Sequence, residues 1–187
     1  MTFSNSVMFC SDLHLGHRLV AEKRGFVDVD SHDNYIVNKL KEQCNKRTIL
    51  WILGDVCMDI NKMELLTSIL GRKRLIRGNH DKFDLGVYLK YFEEIHGFLH
   101  YKEMWLSHCP IHPQEMYRCK LNVHGHIHKN TNSLLLDFPY FNLNWDFWGR
   151  AVSLDEIKQY RDLEHNTTFL IKFNNKTYYS YEGFEDD

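Results

Sequence analysis

The chain has 187 residues, 43% of them hydrophobic and 26% charged, with a formal net charge of −2 when the histidines are neutral. That length suits a single domain, 1–187, with a sizeable core, and the weakly acidic balance gives no electrostatic reason to expect strong duplex nucleic-acid binding. No apolar run approaches the roughly 18 residues of a membrane-spanning helix, and the start, MTFSNSVMFC, has neither the basic nor the long apolar region of a secretory leader. Five cysteines (Cys10, Cys44, Cys57, Cys109, Cys119) make an odd set with no C-x-x-C pair. Reduced thiols and a cytoplasmic setting are therefore expected, with no membrane partner. Twelve histidines are many for this length, and their meaning depends on where they fall.

Val7-Met8-Phe9-Cys10 is a short apolar run that stops at Ser11-Asp12, the pattern of a buried strand with polar residues at its carboxyl end. Tyr35, Ile36, Leu40 and Cys44 then give the apolar face of a helix. Thr48 to Leu53 (TILWIL) repeats the strand design and ends at Gly54-Asp55. A second helical face follows at Met63, Leu66, Ile69 and Leu70, with Asn61/Glu64 as its capping box and Gly71 as its stop. Leu75-Ile76 closes a third strand before Arg77-Gly78-Asn79-His80. This alternation predicts βαβ units around a largely parallel sheet. The second half is richer in strands. Phe98 to Tyr101 and Met104 to Ser107 predict a hairpin around Lys102-Glu103, and Leu121 to His124 another strand. Ser153 and Glu156 form a capping box that opens a helix to about Leu163. From about 167 to 187 the chain predicts a C-terminal hairpin extension with a turn at Asn174-Asn175. Its free edge is one route to a homodimer.

The polar residues of interest lie where apolar strands end, which is where open α/β sheets bind ligands. In order they are Asp12-x-His14, Gly54-Asp55, Gly78-Asn79-His80-Asp81, His108 and Gly125-His126-x-His128. Carboxylate, imidazole and amide oxygen make a mixed N/O donor set that suits Mn, Fe or Zn better than a thiolate-preferring ion. Residues two apart, such as Asp12 and His14 or His126 and His128, point the same way from an extended strand end. Each piece alone is weak: D-x-H can cap a strand, and Asn79-His80-Asp81 can be turn chemistry. Five pieces in one order are far harder to explain by chance.

On these motifs the sequence resembles the calcineurin-like metallophosphoesterase superfamily, whose series is D-x-H, G-D, G-N-H-[D/E], H and G-H-x-H. Asp12-Leu13-His14-Leu15-Gly16-His17 and Asn142-Leu143-Asn144-Trp145-Asp146 through Val152-Ser153-Leu154 further resemble its small bacterial and phage members. The resemblance implies an αββα sandwich of two mixed sheets flanked by helices. It implies a binuclear metal site, with Asp12, His14 and His128 on one ion, Asn79, His108 and His126 on the other, and Asp55 bridging. It also implies hydrolysis of a phosphate ester by a metal-bridging hydroxide, with His80 assisting at the phosphate and Asp81 a candidate to orient His80. Two divalent cations are the expected cofactors, Mn first, with Fe, Zn, Ni or Mg as alternatives. The expected substrate is a phosphodiester ahead of a monoester, a nucleotide or cyclic nucleotide among the options. Val56-Cys57-Met58-Asp59 after Gly54-Asp55 lacks the arginine of the protein phosphatases, which argues against protein dephosphorylation.

Other residues carry two readings. His17 either contacts substrate or caps a helix start, and Asn144 is a second candidate substrate contact. Arg18, Arg24 and Arg77 are phosphate clamps or ordinary ion-paired arginines, with the second reading favoured. Cys109 reads as a packing residue, and His32, His96, His100, His112, His124 and His165 as surface or core histidines. Phe138, Tyr140, Phe141, Trp145, Phe147 and Trp148 either pack the core or stack a base. Two alternative functions follow: a single-strand nuclease using those aromatics, and a catalytically silent metal-binding scaffold.

Overall fold

The computed structural model describes residues 6–128 and 139–162, together with the strand backbone of 172–173 and 176–177. Two mixed sheets stack against each other. The first is ordered β4-β3-β2-β1-β9 and built from β1 (Val7–Cys10), β2 (Ile49–Ile52), β3 (Arg72–Ile76), β4 (Glu94–His96) and β9 (Val152–Ser153). Its first four strands are parallel, and β9 joins β1 antiparallel. The second sheet is ordered β5-β6-β7-β8: β5 (Phe98–Tyr101), β6 (Met104–Ser107), β7 (Leu121–His124) and β8 (Tyr140–Asn142). The β5–β6 hairpin is antiparallel and β6, β7 and β8 run parallel. The hairpin turns on Lys102 and Glu103, both at positive φ, the left-handed geometry that matches the twist of two-residue hairpins.

Alternation along the strands divides the core in two. Cys10, Leu50, Ile52 and Leu75 point to the helices, whereas Phe9, Trp51 and Ile76 meet Met104, Leu106, Leu121, Val123 and Phe141 of the facing sheet. On the helical side lie α1 (Arg18–Lys23), α2 (Val29–Gln43) and a 3-10 segment, Ile60–Ser68. The α2 stripe is Asp33, Ile36, Val37 and Leu40, with Cys44 just past the helix, all buried. Tyr35 lies off it and is exposed, contrary to expectation, because spacings of three, four and seven select Val37 instead. The 3-10 segment also corrects the sequence reading. Asp59, not Asn61, caps it, accepting from the Asn61 amide at 2.9 Å. Met63, Leu66 and Ile69 recur every three residues, so three residues per turn buries all of them and leaves Leu70 exposed. The hydroxyls of Thr67 and Ser68 donate to carbonyls three residues back.

Short helices complete the frame: α3 (Leu85–Tyr88), α4 (Trp145–Trp148) and α5 (Leu154–Asp162). Ser153 and Glu156 form the expected reciprocal box at the start of α5. Four of the aromatic group pack in or against the core: Phe141 stacks on Trp148, Trp145 packs beneath the first sheet and Tyr140 is buried, its hydroxyl donating to the Ile111 carbonyl. Of the predicted C-terminal hairpin, β10 (Lys172–Phe173) and β11 (Lys176–Thr177) pair antiparallel; its remaining residues, with His165 and Phe138, lie outside the described ones. Among the described residues no helix is long and apolar enough to cross a membrane, and all five cysteines are free.

Gln43 ties the end of α2 to the strand that closes the first sheet. Its side-chain amide donates to the Ala151 carbonyl at 3.0 Å and accepts from the Ala151 amide at 2.8 Å. Gln43→Ala strands both backbone groups. It should lower unfolding free energy by about 1–3 kcal/mol, read as a shifted denaturant midpoint with an unchanged slope.

Candidate metal centre

All five motifs lie at one end of the sandwich, where strands of both sheets finish. Beyond β1 and β2 the chain stays zipped: the amides of Asp12, His14 and Leu15 donate to the carbonyls of Gly54, Asp55 and Val56 at 2.9–3.0 Å. The second sheet is brought alongside by His108, whose Nδ1 donates to the Leu53 carbonyl at 2.8 Å, and by a bridge between Ser11 and Asn144. Asp12, His14, Asp55 and His126 all have φ between 52 and 68°. Left-handed backbone at a non-glycine residue costs of order 1–3 kcal/mol, and such strain gathers at functional sites. Two glycines permit the convergence. A Cβ on Gly78 would lie 2.3 Å from Asp55 Oδ1, and one on Gly125 would lie 2.3 Å from Asp12 Oδ2.

The seven expected ligands meet there. Asp12, His14, Asp55 and His108 form a buried floor, while Asn79 and His126 stand exposed at the rim and His128 is half-buried. Asp12 Oδ2 accepts from Ser11 Oγ at 2.6 Å and from the His126 amide at 3.0 Å, which leaves Oδ1 facing His14 Nε2 at 3.8 Å and His128 Nε2 at 3.9 Å. Asp55 Oδ1 accepts from the His80 amide at 2.9 Å. Its Oδ2 lies 3.4 Å from His108 Nε2 and 3.8 Å from His14 Nε2, so one oxygen faces both groups of histidines. Asn79 Oδ1 is 2.8 Å from His108 Nε2 and 3.0 Å from His126 Nδ1.

These atoms fit metal ions. Asp12 Oδ1 and both ring nitrogens of His14 are buried without a protein partner, an arrangement costing about 1–3 kcal/mol per group unless something satisfies it. A cation would. Geometry alone groups Asp12 with His14 and His128, and Asp12 with Asp55 and His108. A third group joins Cys109 to His108 and His126. Cys109 is exposed, not the packing residue that its apolar character suggested.

Charge works in the same direction. Burial by itself would lower the His108 imidazole, but Asp55 and Asp12 beside it outweigh burial and raise it to about 9. Burial would likewise raise Asp55, yet its bond to His108 and the neighbouring charges bring it down to about 2. These shifts favour a protonated His108 beside ionised Asp55 and Asp12. His128 is held above its ordinary value first by its hydrogen bond to Asp146.

Two expectations about nearby residues change, and the helix-cap reading of His17 is met. The Asp81 carboxylate accepts from the amides of Asp55, Val56 and Gly78 at 2.7–3.0 Å, so it shapes the loop that carries Asp55 and does not orient the His80 ring. Asn144 is wholly buried as the cap of α4, its Oδ1 accepting from the Asp146 amide, which removes it from reach of a substrate. His17 caps α1, its Nδ1 accepting from the Val20 amide at 3.4 Å, and also stays at the site with its ring 5.7 Å from that of His14. The exposed His80 ring lies 6.0 Å from His14. Sequence reasoning missed Asp146, whose Oδ2 accepts from His128 Nδ1 at 2.7 Å. It sits in a stretch quoted for the resemblance, but no spacing marked it as a partner of His128. Arg24 is ion-paired, as the favoured reading had it, but its partner is Asp146 and the pair is largely withdrawn from solvent.

No family model matches the chain. It is 29% identical over 191 residues to the gene 66 protein of Mycobacterium phage L5, an alignment covering 82% of this chain and 92% of that one. With the gene 66 protein of Mycobacterium phage D29 it is 42% identical over 83 residues, and that match spans 42% of this chain and 41% of the phage protein. Among solved structures it superposes on AQ665, a protein of unknown function from Aquifex aeolicus. The TM-score is 0.69 at 27% identity, covering 82% of this chain and 98% of that one. Vps29 of Entamoeba histolytica gives a TM-score of 0.39 at 14% identity, too loose a likeness to bear on function.

Two outcomes follow from the geometry and charge. Gly125→Ala should destabilise the fold by about 1–3 kcal/mol through overpacking and abolish metal uptake, measured by denaturation and by metal content after dialysis. His108, raised from 6.5 to about 9, stabilises the stripped protein fully below pH 6.5, and this contribution is lost as pH rises through 9. The melting temperature of chelator-stripped protein should therefore fall between pH 6.5 and 9.5. Metal affinity should rise over that interval as the proton ceases to compete.

Proposed function

We propose that this chain is a metallophosphoesterase that binds two divalent cations, manganese foremost, and hydrolyses phosphodiesters in preference to monoesters. The observation that carries the reading is the single Asp55 oxygen facing His108 and His14, beside the unpartnered buried Asp12 Oδ1 and His14. That is the donor arrangement two neighbouring cations require. Asp12, His14 and His128 would hold one ion and Asn79, His108 and His126 the other, with Asp55 between them. When bound, such ions supply positive charge to the phosphate oxygens and a deprotonated water at neutral pH.

The chain's own groups complete the chemistry. The bond from the His80 amide to Asp55 fixes His80 at the rim with its imidazole exposed. From there it can donate a hydrogen bond to a phosphate oxygen or a proton to the departing alkoxide. His17 uses Nδ1 as an acceptor, so the neutral ring carries its proton on Nε2 and can donate to a second oxygen. The preference for a diester rests on the arginines. Arg24 is committed to Asp146 and to backbone carbonyls, Arg77 donates to the Asp81 and Phe83 carbonyls, and Arg18 pairs with Glu22. From these three arginines a dianionic monoester would thus find no guanidinium clamp of the kind that suits it, which a singly charged diester needs less. The packing of Phe141, Trp145 and Trp148 in or against the core favours the phosphodiester reading over the base-stacking nuclease alternative.

Chelator-stripped protein given Mn²⁺ should turn over bis-p-nitrophenyl phosphate with a higher kcat/KM than p-nitrophenyl phosphate, and short cyclic nucleotides should be tested beside them. His80→Ala should lower kcat about 10²–10⁴-fold while retaining both metals; Asp55→Ala should lose metal as well as turnover. Two bound metals with no turnover of any ester would favour the scaffold instead.

A further inference from the structure

A half-buried ion-paired cluster lies behind the Asp12–His14–His128 group. Asp146 accepts from His128 through Oδ2 and from Arg24 Nε through Oδ1, both at 2.7 Å. The Arg24 guanidinium goes on to donate to the Asp12 carbonyl at 2.8 Å and the Leu13 carbonyl at 3.0 Å, the loop that holds Asp12 and His14 at positive φ. Its fourth contact is His32 Nε2 at 3.0 Å. His32 Nδ1 in turn donates to Asp33, and the Asp33 carboxylate accepts from the Gly16 amide. Arg24 thereby links ligands more than a hundred residues apart in sequence, and does so from a side chain only 10% exposed.

Of the other three ligands only His108 has an outer partner among the described residues, whereas in the first half Asp146 holds His128 directly and Arg24 reaches Asp12 and His14 through their loop, the His14 ring itself having no protein partner. Asn79 and His126 are exposed, and their ligand atoms touch only each other and His108; the His108 ring alone is anchored, to the Leu53 carbonyl. A ligand held by an outer partner keeps its tautomer and direction before any ion arrives. The hydrogen bond from His128 Nδ1 to Asp146 leaves Nε2, the atom facing Asp12, free to coordinate.

We propose that Arg24 and Asp146 are positioning residues that preform the Asp12–His14–His128 half of the centre, so that the protein takes up its two cations unequally, the first in this half. The inference rests on the metal-dependent reading above. Only arginine's planar fork reaches the carboxylate, two carbonyls and an imidazole together; lysine, with one nitrogen, keeps the charge and loses the geometry.

The test titrates chelator-stripped full-length protein with Mn²⁺ while electron paramagnetic resonance counts the free ion. Wild type should show a tight and a weaker step. Asp146→Asn and Arg24→Lys should each weaken the tight step about 10–100-fold and leave the weaker one in place, with Asp146→Glu recovering part of the loss. His126→Ala should do the reverse, removing the weaker step and keeping the tight one. Circular dichroism and denaturation of each stripped variant separate positioning from folding. Unchanged tight binding in Asp146→Asn and Arg24→Lys would overturn the inference and leave the metal reading standing. So would equal weakening of both steps in proportion to lost stability. No Mn²⁺ uptake by wild type would overturn both.

Discussion

The loops at the candidate-site end of the sandwich are arranged around the Asp55 carboxylate. Its backbone amide is held by Asp81, its carbonyl accepts from His14, and one side-chain oxygen accepts from the His80 amide. The remaining oxygen, Oδ2, faces His14 and His108. Bringing this acceptor beside Asp12 in a buried space is electrostatically unfavourable without compensating positive charge. The raised His108 imidazole offsets part of that charge, and the left-handed backbone at Asp12, His14, Asp55 and His126 with the close approach at Gly78 and Gly125 brings the carboxylates and imidazoles within reach of one another.

The two sheets make this crowding possible by dividing the work. The first sheet delivers Asp12, Asp55 and Asn79 from the carboxyl ends of three neighbouring parallel strands, β1, β2 and β3. The second delivers His108 and His126 from β6 and β7, also parallel to each other. Trp51, Phe9 and Ile76 against Met104, Leu106 and Val123 fix the distance between the sheets, so the interlayer core is part of the site's geometry. A cavity there would be felt at the ligands, since close-packed interiors transmit displacement.

Where reading along the chain went astray, the reason was local geometry that composition does not carry. An apolar face with Leu70 in it suits an α-helix, yet hydroxyls at Thr67 and Ser68 and apolar residues every third position favour the tighter 3-10 turn. Asp81 beside His80 looks like a catalytic pair, but a carboxylate at a turn finds backbone amides sooner than a neighbouring imidazole. Asn144 follows the same rule at the start of α4.

The sequence by itself determined which residue types stand at the candidate site and in what order: five motifs at strand ends, the parallel strands β1, β2 and β3, the β5–β6 hairpin and the Ser153/Glu156 cap. These are signals carried within a few residues, and local periodicity or capping chemistry expresses them directly. Only the tertiary structure decided which atoms face one another. The pairing of Asp146 with His128 spans 18 residues and that of Arg24 with Asp146 spans 122. Such partnerships depend on how two sheets and α1 pack together, and that distance leaves no periodic trace along the chain.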